Sequence, residues 1–169
     1  MHPETQKLWT KIQNLLPADF GPVSSEALNV VEELLVKYPE SSSVKVLLAD
    51  MLLFSDDSSG VNMERAEGLL HEVSAKDPFC ASAYSAFASL YCLQSKDELT
   101  LESSEFAMRL SYNVESVLSF YEFVSDAKQN SIPTENVENS ILEIAQEMMR
   151  RITTIEAKMQ LCITKSIVF

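Results

Sequence analysis

Residues 26–40 read EALNVVEELLVKYPE, and residues 65–79 read RAEGLLHEVSAKDPF. Laid over each other, Ala27 meets Ala66, Val31 meets Leu70, Leu34 meets Val73 and Pro39 meets Pro78, a period of 39 residues. Apolar residues three and four apart mark one face of a helix, and a proline just past the last turn marks where it stops. A weaker third copy, ESSEFAMRLSYNVES at 102–116, sets Ser103 in the small position and Ala107 and Leu110 in the apolar ones, without the proline. A helical pattern that recurs at a fixed long period is the mark of an array of helix pairs rather than of a plain bundle.

The intervening segments repeat as well. VKVLLADML and AYSAFASLY align with Leu48 over Phe87, Ala49 over Ala88 and Leu52 over Tyr91. A small residue on each helix lets two helices cross closely, and the flanking large residues fill the groove behind. The spacing Tyr84-x2-Phe87-Ala88-x2-Tyr91 resembles the first-helix signature of the tetratricopeptide repeat family, and Ala66 and Pro78 fall where that family places its second-helix alanine and closing proline. That family repeats about every 34 residues. The longer period here is accommodated by the loops SDDSSGVN and QSKDELT, because added loop length costs little. The resemblance covers residues 24–116, with LWTKIQNLL (8–16) and its Trp9 as an extra leading copy.

Along the whole chain, polar breaks at PADFGPVSS, PESS, SDDSSG, KDP, SKDE and KQNSIP divide helical pattern into spans of about 4–16, 24–38, 42–54, 63–76, 79–94, 99–112, 114–128 and 134–163. The expected fold is all-α, a short solenoid of antiparallel helix pairs over residues 1–128. A long C-terminal helix within 129–169 closes it as part of the same domain. Apolar residues at 137, 141, 144, 148, 152, 155, 159 and 162 of that last helix step by threes and fours, close to a heptad seam. Such a seam serves either to cap the open end of the array or to bind a partner.

Composition narrows the function. The 169 residues carry a formal net charge of -12, which opposes binding to nucleic acid or to an anionic membrane surface. No uncharged apolar run approaches the ~20 residues of a membrane helix, so direct insertion is not expected. The N-terminus MHPETQKLW has no secretory apolar region, and the expected location is cytoplasmic, or peripheral to a membrane complex through a protein partner. Cys80, Cys92 and Cys162 match no zinc spacing and are expected to be reduced, mostly buried thiols. With three glycines and two histidines, the chain shows no phosphate-binding loop, no metalloprotease motif and no catalytic triad; DDSSG (56–60) lacks the ligand spacing of a calcium loop. An enzyme, a cofactor, a metal site and a small-molecule substrate are therefore not expected.

A helical scaffold without catalytic groups acts by binding. Many tetratricopeptide members clamp a C-terminal carboxylate with lysine, asparagine and arginine side chains on the first helices. The corresponding places here are Thr10, Asn14, Leu47, Ser82 and Ala86, and they do not form such a clamp. The same register gives the candidate groove as Ser43, Val46, Asp50 and Leu53 on one helix, and Ser82, Ser85, Ser89 and Cys92 on the next. Small side chains with few charges let another backbone approach, as an extended peptide or a packed helix. The leading expectation is an adaptor or scaffold subunit of a larger assembly, binding a protein partner in this groove or through the C-terminal helix. The alternative is a small acidic chaperone, similar to those of type III secretion, that holds an apolar client segment. The protein's own last helix is a rival occupant of the groove.

Overall fold

A computed structural model describes Thr10, residues 22–56, 60–111, 114–130 and 132–134, and residues 139–151 apart from 141, 145 and 148. Six helices run in order through the described residues: α1 Ser25–Lys37, α2 Ser42–Leu53, α3 Val61–Lys76, α4 Ala81–Leu93, α5 Asp97–Ser111 and α6 Val114–Gln129. The described residues among 139–151 are helical as well. No strand occurs among the described residues; the single parallel bridge of Val23 with Ser55 ties the start of α1 to the end of α2.

Local chemistry explains where the helices begin and end. The hydroxyls of Ser24 and Ser41 accept hydrogen bonds from the backbone N–H groups of Ala27 and Val44, satisfying donors that have no partner inside the helix. Gly60 precedes α3 at φ 78°, a left-handed conformation that glycine adopts without a Cβ penalty. The ends of α1 and α3 copy each other 39 residues apart. Tyr38 N–H donates to Leu34 C=O and Asp77 N–H to Val73 C=O, both at 2.8 Å. One turn on, Ser41 N–H donates to Tyr38 C=O and Cys80 N–H to Asp77 C=O. The exit of α4 is different. Ser95 takes φ 55°, Ser95 N–H donates to Cys92 C=O and Lys96 N–H to Tyr91 C=O, a paired closure around one left-handed residue. The repeat of sequence is thus a repeat of backbone geometry at the α1 and α3 exits, and the variation lies in the turns after α2 and α4.

Each helix packs on its neighbours in the chain, most closely α4 on α5 and α2 on α3, and α2 also touches α4 across the intervening helix. That contact between alternate helices builds a stacked, solenoid-like all-α array. The residues paired by sequence share their burial: Ala27 with Ala66, Val31 with Leu70, Leu34 with Val73 and Ala49 with Ala88 all lie in the interior. In α5 Ala107 is buried as expected, but Ser103 and Leu110 are half-buried, and Ser104 and Met108, each beside an expected position, are buried. The third copy therefore presents to the core a serine one place beyond the expected one. Ion pairs link α1 and the turn after it to α3, Glu32 with Arg65 and Glu40 with Lys76, at the surface where each contributes about 0–1 kcal/mol.

Burial falls into two clusters. The first draws on α1 to α4, with Val31, Leu48, Leu70, Phe87 and Leu90 among its members. The second joins Leu101 and Met108 of α5, Phe120, Val124 and Ala127 of α6, and Ile144. Of the expected seam on the last helix, Ile144 is buried here; the side chains of the other seven positions lie outside the described residues. One turn before Ile144, buried Ser140 donates to Glu105 Oε1 at 2.6 Å and accepts from Arg109 Nη2 at 2.9 Å, so this part of the last segment is docked on α5. The opposite side of the segment leaves Leu142 and Met149 exposed.

Two expectations are corrected. Phe79 is not inside a helix that starts at 79. It sits in the link before α4 with its N–H donating to Asp77 Oδ1, and is well exposed, because the turn around Pro78 has to finish first. The described cysteines are free but not fully buried: Cys80, just before α4, is half-buried against the first core cluster, Cys92 near the end of α4 is exposed, and Cys162 lies outside the described residues. The expected helices over 4–16 and beyond residue 151 also lie outside the described residues, apart from helical Thr10.

Candidate functional site

The eight candidate groove residues do not share one environment. On α4, Ser82, Ser85 and Cys92 are exposed and Ser89 is half-buried, its hydroxyl donating to Ser85 C=O. On α2, Ser43 is exposed and Asp50 half-buried, but Val46 and Leu53 are core residues at 5% and 8% exposure. The reason lies in α2 itself. Its sequence SSVKVLLADMLL is apolar on nearly every side, and a helix of that kind is enclosed by its neighbours. The open face is therefore chiefly that of α4, with Asp50 and Ser43 on α2 as its extension.

Helix α4 stays in place through aromatic packing. Phe87 stacks on Tyr91 with ring centres 5.8 Å apart, and His71 of α3 meets Phe87 at 5.1 Å. Tyr84 meets Phe106 of α5 edge-on at 4.5 Å, the quadrupole-favoured arrangement. Residues 84 and 88 are one turn apart, so Ala88, wholly buried, faces α5 together with Tyr84. Ser85 and Ser89 lie one residue further round, off that packed face.

Charge is sparse here. Between them α2 and α4 carry two ionisable acid or base side chains of the Lys and Asp type, Lys45 and Asp50. Lys45 is committed to Glu72 of α3 at 2.6 Å. Burial pushes the Asp50 carboxyl up to about 6. The Cys92 thiol is also raised, first by burial and then by the nearby charges of Asp126 and Asp97. Alkylation of Cys92 by iodoacetamide at pH 7.5 is accordingly expected to run several-fold slower than that of free cysteine, since the thiolate is the nucleophile. A rate equal to that of free cysteine, measured by peptide mass mapping, would mean that neither burial nor those acids raise the thiol.

A cleft elsewhere was not legible in the sequence. A cleft of about 510 Å³ lies between the start of α1 and the α2–α3 link, lined by Val23, Ser24, Leu28, Ser55, Asp56 and Asn62 among others. Three of its polar side chains serve the local structure: Ser24 caps α1, Ser55 donates to Leu52 C=O, and Asn62 donates to Ser55. Those bonds hold the start of α1 and the α2–α3 link together around the cleft. No cluster of three metal-ligating side chains occurs among the described residues, and no helix among them is long and apolar enough to cross a membrane. In comparisons with known proteins, the chain matches no family model, no curated protein and no solved structure.

Proposed function

We propose that this chain is a protein–protein interaction module, an adaptor or scaffold subunit of a larger assembly, built as a divergent tetratricopeptide-like array. It binds an extended peptide or a helix of a protein partner along the outer face of α4, and it is not an enzyme. The observation that carries this reading is the row Ser82, Ser85, Ser89 and Cys92. It is a helix face of small, uncharged side chains, mostly open to solvent, on a helix whose other faces are anchored by Phe87, Ala88 and Leu90. A partner backbone can approach such a face closely, and a rigid helix costs little ordering on binding. The free thiols of Cys80 and Cys92 suit a reducing compartment such as the cytoplasm.

The test pairs Ser85→Glu with Ser89→Glu. Two carboxylates on this face are expected to remove partner binding. Stability should change by no more than about 1 kcal/mol, because substitutions away from the core usually stay within about 0.5 kcal/mol each. The measurement is affinity purification with mass spectrometry using the full chain as bait, wild type against the double variant, with melting followed in parallel. An identical set of recovered proteins would move the binding face elsewhere.

A further inference from the structure

We infer that the edge of the array where α2 and α4 end is a second docking surface, beyond the open face of α4, and that it takes a basic, apolar segment of a protein partner. Topology sets the edge. Short links turn the chain back at each helix end, so α2 and α4, which touch each other, run the same way with α3 returning between them. The exits of α2 and α4 and the starts of α3 and α5 therefore share one end of the array. A hydrogen bond of 2.8 Å from Asn62 to Ser55 ties the start of α3 to the exit of α2. In the next copy, Lys96 N–H donates to Tyr91 C=O and closes the α4 exit directly before α5. Apolar residues stay open along this end. Phe54, just after α2, and Leu93, the last residue of α4, are 39 residues apart and are 50% and 47% exposed. Val61 and Leu99, in the first turns of α3 and α5, are exposed as well. A single exposed apolar residue carries no meaning, but the same place left open in consecutive copies makes a row.

Charge at the same end chooses the occupant. The described charges of the two turns and of the neighbouring end of α6 are Asp56, Asp97, Glu98 and Asp126 against Lys96 and Lys128, four acids to two lysines. None of the four acids has an ion pair among the described residues. Lys96 lies over the Tyr91 ring, 5.6 Å from its centre, and leaves the acids beside it uncompensated. The charges of Asp126 and Asp97 reach the Cys92 thiol, one residue before Leu93, so acids and apolar residues belong to one surface. Such a surface repels nucleic acid and anionic lipid, and it attracts lysine and arginine. A partner segment with apolar residues can cover Phe54 and Leu93 while its cations meet the acids at the rim, where charge governs rate and selectivity more than affinity.

The experiment is selection of a displayed random-peptide library on the immobilised full chain. Enriched peptides are expected to combine apolar residues with lysine or arginine and to lack acids. Resynthesised, they should bind at least about tenfold more weakly to Phe54→Ser/Leu93→Ser and to Asp56→Lys/Asp126→Lys. Both pairs sit at exposed positions outside the first turn of a helix, and circular dichroism checks that each variant is folded. The same peptides with glutamate for each cation should reverse the order and prefer Asp56→Lys/Asp126→Lys to wild type. Peptides that ignore both pairs but are lost with Ser85→Glu/Ser89→Glu would overturn the edge and leave the α4 face standing. Enrichment of no peptide family would overturn the edge as well. A full chain that is dimeric by sedimentation equilibrium, and monomeric with Phe54→Ser/Leu93→Ser, would make the occupant a second copy and overturn the partner segment.

Discussion

Replacing Ala88 by arginine is expected to lower the folding free energy by about 4 kcal/mol or more, enough to leave much of the chain unfolded at 37 °C. Ala88 is wholly buried on α4, one turn from Tyr84, whose ring meets Phe106 of α5. This is the most closely packed pair of helices in the array. An arginine there brings both volume and an unpaired charge into a crossing that has room for a methyl group. Overpacking alone costs about 1–3 kcal/mol, and desolvating the charge adds several more unless the helices part. Ala88→Gly is the useful control, because it removes only the methyl and some helix propensity and should cost about 1–2 kcal/mol. Urea unfolding followed by far-ultraviolet circular dichroism decides the matter. A near-neutral Ala88→Arg would place this residue on the surface and dissolve the register that defines the α4 face.

The second large effect is a stabilisation that depends on pH. Burial holds the Asp50 carboxyl at about 6 in the folded chain, against about 3.8 for an unperturbed aspartate. The folded state therefore keeps this proton over a range in which the unfolded chain has already released it. Folded stability from this group is intact near pH 4 and falls as pH rises to about 6. Above that the ionised, unpartnered carboxylate costs up to about 3 kcal/mol, at about 1.36 kcal/mol for each unit of displacement. Asp50→Asn cannot ionise. At pH 7.5 it should exceed wild type by about 2 kcal/mol, or roughly 4–8 °C in melting temperature for a domain of this size. Near pH 4 the two proteins should converge. A gain that is the same at both pH values would show that Asp50 is not desolvated.

Much of the architecture can be read from the residues because helix periodicity and helix ends are local. Spans expected at 24–38, 42–54 and 114–128 correspond to α1, α2 and α6 within a residue or so. Alanines 27, 49, 66 and 88 are buried as their spacing implies. The start of α3 at Val61 lies ahead of the expected 63, because Gly60 turns the chain into the helix earlier than the acidic loop composition suggests. The site was harder to read, and α2 shows why. Ser43, Val46, Asp50 and Leu53 share one stripe, yet Val46 and Leu53 are covered while Ser43 is open. A stripe is a property of one helix; exposure depends on which neighbours lie over it, and on a helix apolar on nearly all sides no pattern marks the uncovered strip. On α4 the alternation of serines with Phe87 and Ala88 does mark it: Ser82, Ser85 and Cys92 are open, and Ser89 is half-buried.

The division of burial between an α1–α4 cluster and an α5–α6 cluster bears on how this protein comes apart. In a one-dimensional array each unit is held chiefly by its nearest neighbours, so unfolding need not be all-or-none. The junction between the two clusters is the α4–α5 contact, where Tyr84 meets Phe106. Substitution at Ala88 acts on that junction, whereas Asp50 lies on α2, within the span of the first cluster. Denaturation curves followed by probes in different helices then decide whether the two clusters unfold together or in turn.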